Sequence, residues 1–510
     1  MSVINTERKN LSLNKFCLKD KISDWIEQDI IVPDSKPDAV KIVCVTVNAY
    51  IKECQVLDDK IKIEGKLNYY VIYKCSDEDM STRGLFASFP YTQTLSLKGA
   101  KKDMKACVKV CVRNVIYSLP NERKVATKTE LVFDVKLKSP VSISLINKFK
   151  TDDNIECKTK MDKFNNICCD KVNIIASKED IMLPKENEDF VEILKITPKI
   201  DKLEYKESFN KVMVKGDIII AMVYLSSNKS SPIKDTKLTV PFTGMVEMDG
   251  INDKSKFDIK YNMQDFNIRL NQEITTSKTL TADYQIEVEV EMFENEEVEY
   301  IDDFYSQNRD LKYDVESADV IKSNQTSIRN IDVKDNISNI LNDNVKLVNY
   351  SMDLSYVNSR IVGNTMHTDG NAKLSIMLLN EGELENRTED ILINDEYTLD
   401  NVTDGDNIDV NITMPELNVS QNGNDIEVKG TINADINIDN MSNINIINNI
   451  DADRLDLANL DSMNIYIVKN NDTIWNIAKK YKTSIEKIVK TNDIDDPDII
   501  NVGQKILIIR

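Results

Sequence analysis

The feature that most constrains the fold is an alternating apolar stretch that occurs three times with a glycine at the same place. Successive copies lie 151 and 154 residues apart, and the glycine is the third member of each series. The series are Ile61, Ile63, Gly65, Leu67, Tyr69, Val71, Tyr73; Val212, Val214, Gly216, Ile218, Ile220, Met222, Tyr224; and Met366, Thr368, Gly370, Ala372, Leu374, Ile376, Leu378. Period-two alternation predicts a half-buried β-strand, and an internal glycine predicts a bulge or a close backbone approach.

A second apolar block recurs at a spacing of 151 residues and breaks its phase at the same point in each copy. The copies are Val108, Val110, Val112, Val115, Tyr117; Ile259, Tyr261, Met263, Phe266, Ile268; and Val410, Ile412, Met414, Leu417, Val419. A step of three residues would turn the apolar face outward unless the strand absorbs one extra residue. The pattern therefore predicts a β-bulge or strand break here.

These repeats predict a mainly β protein with three sandwich-like units. The segment Asp29-Ile-Ile-Val-Pro33 recurs as Asp180-Ile-Met-Leu-Pro184, and we place it at the start of a unit. The expected organisation is an N-terminal segment at 1–28, repeats at 29–165, 180–320 and 330–440, an Asn/Asp-rich linker at 445–463, and a small domain at 464–510. Few helical stripes occur inside the repeats, which favours antiparallel sheets.

The last segment has the pattern of a β-α-α-β module. Apolar residues at helical spacing (Ile474, Ile477, Ala478 and Tyr481) predict a first helix. Thr483 and Glu486 have the spacing of a capping box before a second helix. From Ile465 to the end we count eight basic and six acidic side chains, against a net charge of −20 for the chain. The contrast predicts a separately presented binding head.

This module resembles a LysM domain. The matching residues are Tyr466-Ile-Val-Lys469, Asp472-Thr-Ile-Trp475, Ile477-Ala478, Tyr481, Ser484, Ile488, Asn492, Pro497, Ile500 and Val502-Gly-Gln-Lys-Ile506. Asn471 stands where the family usually has glycine, and asparagine tolerates the left-handed conformation better than most residues.

The LysM resemblance implies a shallow groove that binds N-acetylglucosamine polymers or, in many copies of the domain, a protein. The residues it assigns to this glycan- or partner-binding site are Asp472, Thr473, Ile474, Trp475, Asp493, Ile494, Pro497 and Ile499. Trp475 opens the first helix beside the apolar stripe, which favours a core role for its ring. Sugar and protein remain alternative ligands.

Composition excludes several classes of function. The chain has no long basic block to neutralise a row of phosphates, so we expect no nucleic acid. Nine cysteines, all before residue 170, and one histidine favour free thiols in a reducing compartment, with no metal site and no cofactor. The first ten residues lack the apolar region of a signal peptide, and Ile218–Leu225 is too short to span a bilayer, which takes about 20 residues. We expect a cytosolic, non-catalytic protein.

Taken together, the repeats and the LysM-like module resemble the SPOCS-domain spore coat morphogenetic proteins. That resemblance implies a scaffold that binds the basement-layer coat ATPase SpoIVA, or peptidoglycan precursors, at the forespore surface in the mother cell. It implies at most peripheral contact with the forespore membrane, and self-assembly is possible. A phage tail or baseplate protein and a LysM-targeted cell-wall hydrolase are the alternatives. His367, in the third glycine strand, has no second histidine to complete a catalytic site.

Overall fold

The computed structural model describes residues 2–76, 81–151, 154–184, 189–228, 232–271, 279–338, 345–354, 356–381, 383–400, 402, 406–455 and 463–509. Among the described residues nearly all of the regular secondary structure is β-strand, and the two helices found there lie in the C-terminal module. The predicted fold class is therefore confirmed.

Each repeat is built from strands that follow one order. A two-residue strand, β1 Ser2–Val3, precedes the first repeat, whose strands are β2 Thr6–Ile31, β3 Ala39–Leu57, β4 Lys60–Cys75, β5 Thr82–Ser96, β6 Lys105–Asn121 and β7 Lys124–Phe149. The strands of the second repeat are β8 Ile155–Met182, β9 Phe190–Ser208, β10 Lys211–Ser226, β11 Ile233–Glu247, β12 Ser255–Leu270 and β13 Thr279–Ser306. Those of the third are β14 Arg309–Ile337, β15 Val345–Asp353, β16 Val357–Val362, β17 Thr365–Asn380, β18 Glu383–Thr398, β19 Asn407–Asn422 and β20 Asp425–Arg454. In the third repeat, β15 and β16 together replace the single strand β9 of the second.

Two sheets face each other in every repeat. The glycine strands β4, β10 and β17 are the central strands of one sheet, in the orders β3-β4-β5, β9-β10-β11 and β15/β16-β17-β18. The opposite sheets pair β2-β7-β6, β8-β13-β12 and β14-β20-β19. A separate apolar core fills each sandwich, with side chains such as Tyr69, Ile220 and Leu374 completely buried. The predicted three-fold internal repetition is confirmed.

The repeated glycines make room for the neighbouring strands. Gly65 and Gly216 lie directly opposite Tyr91 and Phe242, whose rings cover them. A Cβ atom at Gly65 would lie 2.1 Å from the carbonyl oxygen of Tyr50, and one at Gly370 would lie 2.2 Å from the carbonyl oxygen of Tyr356, just before β16. The close backbone approach expected from the sequence is therefore present.

The phase break in the second block is also a bulge, as predicted. The register between the edge strand and its partner shifts between Val112 and Asn114 in the first repeat. The equivalent shifts fall between Met263 and Asp265 and between Thr413 and Glu416. One extra residue at each point keeps the apolar face inward on both sides of the break.

The repeats begin earlier than the sequence suggested. Residues 6–31 form β2, the first strand of the first repeat, and not a separate N-terminal segment. Asp29 and Asp180 lie near the ends of the long strands β2 and β8, so the repeated motif closes a strand instead of opening a unit. The repeats thus span Thr6–Phe149, Ile155–Ser306 and Arg309–Arg454.

The long strands extend beyond the sandwiches as three two-stranded ribbons, formed by 6–15 with 139–149, 155–165 with 295–306, and 309–321 with 441–454. We call the three ribbons together the stem. All six strands contribute to one apolar cluster, which includes Leu13, Ile143, Phe164, Val298, Val320 and Ile444. A second stem cluster contains Phe304, Ile447 and Ile450. The stem therefore joins the three repeats into one body.

The sandwiches also meet at equivalent faces. Ile72, Val223 and Met377 each lie seven residues after the strand glycine, and all three belong to one buried cluster. Repeat-to-repeat polar contacts support this arrangement: Asn68 donates to the carbonyl oxygen of Phe266 at 2.9 Å. The buried carboxylate of Asp439 accepts from Lys136 at 2.7 Å. The three units are thus related by an approximate threefold axis.

The predicted linker at 445–463 is wrong for its first half. Residues 445–454 belong to β20 and pair with β14, and part of this stretch also pairs with β1. Ile444, Ile446 and Ile450 are buried in the two stem clusters, so the isoleucines of this Asn-rich stretch face an apolar core. Residues 456–462 of the predicted linker lie outside the described residues.

We expect Gly65→Ala to lower the free energy of unfolding by about 3 kcal/mol, because the new methyl group meets a backbone oxygen that cannot turn away. Gly216→Ala should cost less, since its nearest contacts, at 2.8 Å, belong to the ring of Phe242. Adding Phe242→Leu should recover part of that smaller loss. Denaturant unfolding of the full chain measures both effects, and equal losses at the two glycines would contradict this explanation.

Candidate functional site: the LysM module and its seat on the stem

The C-terminal module has the predicted β-α-α-β order. Its elements are β21 Met463–Ile467, α1 Ile474–Tyr481, α2 Ile485–Thr491 and β22 Lys505–Ile509, and the two strands pair antiparallel. Both helices pack on one face of this small sheet. The buried residues of its core are Val468, Ile474, Ile477, Ala478, Ile488, Ile506 and Ile508.

The turn before α1 is held by a carboxylate. Asn471 has a φ of 63°, the left-handed conformation expected where the family usually has glycine. The Oδ2 atom of Asp472 accepts from the Tyr466 hydroxyl at 2.8 Å and from the Lys469 backbone N–H at 2.7 Å. The hydrogen bond from the Lys469 backbone, followed by that from Tyr466, lowers the pKa of Asp472. Asp472 thus shapes the loop through contacts within the module.

The caps of the two helices differ in part from the prediction. Thr473 is the N-cap of α1 and accepts from the backbone N–H of Asn476 at 3.1 Å. The N-cap of α2 is Ser484, which accepts from the N–H of Lys487, so the capping box predicted at Thr483 is wrong by one residue. Thr483 is instead buried and donates to the carbonyl oxygen of Ile509.

The predicted binding residues divide into buried and exposed groups. Ile474 is 1% exposed and belongs to the module core, so its assignment to a binding surface is corrected. Ile494 is half-buried and packs against the same core. Thr473, Asp493, Pro497 and Ile499 are exposed, and Asp472 is half-exposed. The backbone N–H of Gly503 donates to the carbonyl oxygen of Val468 at 2.8 Å, which brings the segment after Ile499 beside the start of the first loop.

Trp475 does not face a ligand groove, because its ring lies against the stem. Its Nε1 atom donates to Asp303 at 2.7 Å, and its ring meets that of Tyr305 edge to face, with centroids 5.1 Å apart. The hydroxyl group of Tyr305 donates to the carbonyl oxygen of Thr483 at 2.7 Å. The expected core role of Trp475 is thus half right, since the indole fills an interface between the module and β13.

Two lysines of the module complete this seat. Lys479 forms an ion pair with Asp303 and donates to the Tyr313 hydroxyl at 3.2 Å. Lys482 lies 3.4 Å from a carboxylate oxygen of Asp310. The basic module therefore rests on acidic residues at the end of the stem. This corrects the expectation of a separately presented head, because ion pairs and hydrogen bonds hold the module against the stem.

Asp303 is the centre of the seat. Burial acts to raise the pKa of this carboxyl group, but the hydrogen bonds from Lys479 and Trp475 outweigh it and hold the pKa below its usual range. The same contact with Asp303 helps to raise the pKa of Lys479, against the effect of burial. The carboxylate and the ammonium group therefore remain charged together in the docked form.

The outer face of the module's sheet is apolar and exposed. Met463, Ile465 and Ile467 are 61%, 68% and 54% exposed, and they lie opposite Ile509, Leu507 and Lys505 on β22. We call this surface the outer sheet face. Sequence reasoning missed it, since the run Ile465-Tyr-Ile-Val468 is apolar on both faces of the strand. The one sequence signal for this outer face is that Tyr466 and Val468 alone are enough to cover the inner face of the strand.

The other candidates from the sequence show no assembled site. His367 is paired with the carboxylate of Glu396 at 3.1 Å on a strand face. No cluster of three metal-ligating side chains occurs within the residues that the structure describes. The eight cysteines described there are free thiols, and Cys44 and Cys75 are buried. Neither helix of the described chain has the length and apolar character of a membrane span.

Family comparisons agree with the architecture. The SPOCS domain of SipL matches residues 38–119 and 189–271, which correspond to β3–β6 and β9–β12, and the LysM domain matches residues 466–508. The chain therefore contains SPOCS domains joined to a C-terminal LysM domain. The third repeat has the same strand order as the two matched ones. These matches agree with both resemblances found in the sequence.

One curated relative shares a short segment. It is described as "Cortical fragment-lytic enzyme" from Bacillus subtilis (strain 168), with 48% identity over 46 residues, or 9% of this chain. The match spans only about a tenth of that relative's length. No solved structure matches the chain.

We expect Asp303→Asn to loosen the module from the stem. In a Trp25→Phe background Trp475 is the only tryptophan, and its emission should shift to longer wavelengths when the ring loses its partners. Because the pKa of Asp303 is lowered, docking should persist as the pH falls through the ordinary carboxyl range, about 4, and be lost only below it.

Asp302→Asn is the matched control for that experiment. Asp302 is the preceding residue of β13, but its carboxylate pairs with Lys160 at 3.0 Å, on a neighbouring strand. The control should keep the wild-type emission. The same shift in both variants would show that the seat does not depend on the Asp303 carboxylate.

Proposed function

We propose that this protein is a non-catalytic scaffold of endospore coat and cortex morphogenesis, which works in the mother cell at the forespore surface. In this proposal the LysM module binds a SpoIVA-like coat ATPase, and the repeats hold the module in place. The SPOCS matches favour this reading over a phage tail or baseplate protein. The short match to a lytic enzyme does not carry an activity to this chain.

The outer sheet face is the observation that carries the protein-binding part of the proposal. When a protein covers exposed apolar side chains, the removal of their surface from water stabilises the complex by about 25 cal/mol per Å². Met463, Ile465 and Ile467 lie on one face of β21, and the seat on the stem uses residues of α1 and the turn after it. None of the described residues therefore covers the outer sheet face while the module is docked.

A different surface of the module is suited to binding a second ligand. The loops around Thr473 and 493–499 expose polar groups together with Pro497 and Ile499. Sugar rings bind to such mixed surfaces through hydrogen bonds and apolar contacts. We propose that N-acetylglucosamine-containing glycan or its precursor binds here. The two surfaces allow one module to hold protein and glycan together.

We expect Ile465→Lys with Ile467→Lys to weaken capture of the coat ATPase at least tenfold while peptidoglycan pelleting is unchanged. Both side chains are more than half exposed, so the module should remain folded by circular dichroism. The matched pair is Pro497→Ser with Ile499→Lys, which should weaken glycan pelleting and leave ATPase capture unchanged. Loss of ATPase capture in the second pair alone would place the protein site at the loops.

The chain is further expected to leave purified peptidoglycan intact. The reason is its single histidine and the lack of an assembled nucleophile or metal cluster among the described side chains. Release of reducing ends from cortex peptidoglycan is the measurement. Activity that a single carboxylate substitution removes would contradict the scaffold assignment.

A further inference from the structure

The hairpin between β9 and β10 carries an exposed apolar tip. Phe209, in its turn, is 87% exposed, the largest fraction among the large apolar side chains of the described chain. Met213 on β10 and Met245 on β11 lie directly opposite each other and are 49% and 51% exposed. We call these three side chains the tip patch. Flexible methionines and an aromatic ring together are typical of protein-binding surfaces.

The other repeats show that the fold does not require this patch. Strand register gives the equivalent positions in the three repeats as Asp58, Phe209 and Gly363 in the turn; Lys62, Met213 and His367 on the central strand; and Thr94, Met245 and Glu396 on the edge strand. In the first and third repeats none of these positions holds an apolar side chain. Apolar residues at three positions that are not apolar in the other two repeats indicate a role outside the repeat itself.

The charges around the tip patch are balanced and favour a second copy of this chain. Residues 201–217 with Glu247 include four lysines and five carboxylates, whereas the whole chain has a net charge of −20. Two copies repel each other over most of their surfaces, and this repulsion is smallest where the local charge is near zero. The tip patch thus lies where two copies can approach each other.

The arrangement of charge also suits a twofold contact. Lys215 pairs with Glu204 at 2.7 Å and Lys202 with Asp217 at 3.2 Å. Within the described residues, the exposed Glu207 and Glu247 and the neighbouring lysines 206 and 211 form no ion pair. In a twofold dimer the free lysines of one copy can meet the free glutamates of the other, since a twofold contact uses one surface twice.

We infer that the tip patch is a self-association site, at which two copies of this chain meet through Phe209, Met213 and Met245. Three side chains bury far less than the roughly 1,600 Å² of a standard interface, so the contact is weak in solution. It becomes effective when many chains are held side by side on one surface. The inference is independent of what the LysM module binds.

Sedimentation equilibrium of the full chain over a wide concentration range tests this site. The weight-average mass of the wild type should rise toward twice the monomer mass. The triple variant Phe209→Asp, Met213→Lys and Met245→Thr takes the residues of the first repeat, which the same fold already accommodates, and should remain monomeric. Leu392→Asp removes a comparably exposed apolar side chain elsewhere and should associate like the wild type.

A charge exchange tests the twofold pairing. Lys206→Glu with Lys211→Glu should abolish association, as should Glu207→Lys with Glu247→Lys, and mixing the two variants should restore it. A wild type that stays monomeric at every concentration, or a triple variant that associates like the wild type, overturns the proposed site. A mixture that associates no better than its components overturns the twofold contact.

Discussion

The packing of the three ribbons in the stem is the interaction on which the rest of the structure depends. Each sandwich has its own core, but Leu13, Phe164 and Val320 come from three different repeats and meet in one buried cluster. A two-stranded ribbon is marginally stable alone, because one of its apolar faces remains in water. Each ribbon is therefore stable through the other two, and the relative positions of the sandwiches follow from this shared core.

Much of the repeat architecture could be predicted from sequence, because it rests on local periodicity. The glycine strands and the bulges were found because alternation and phase breaks repeat at constant spacing. The long strands β2, β8 and β14 are not predictable in the same way, because their outer halves share no residue pattern that recurs in the three repeats. The Asn-rich stretch 445–454 has the composition of a linker, and composition does not reveal that its isoleucines face a core built by distant strands.

The candidate site was less predictable for a physical reason. The LysM motif locates the module and its loops, but it mixes residues that build the fold, such as Ile474, with residues that meet solvent. Whether Trp475 faces a ligand, a core or another domain depends on a carboxylate 172 residues earlier in the chain. Long-range contacts of this kind leave no trace in the local pattern. The seat on the stem also gives the module one orientation relative to the repeats.

The pairing of β1 with β20 has a consequence for the synthesis of the chain. Ser2 and Val3 leave the ribosome some 450 residues before their pairing partners, Ala452 and Asp451. Each sandwich can form as its own strands emerge, but the apolar faces of the first two ribbons wait for the third. During translation these faces are open strand surfaces, which are prone to pair with neighbouring nascent chains. The closure that joins the three repeats is thus the last step in the folding of the repeats and the one most exposed to misassembly.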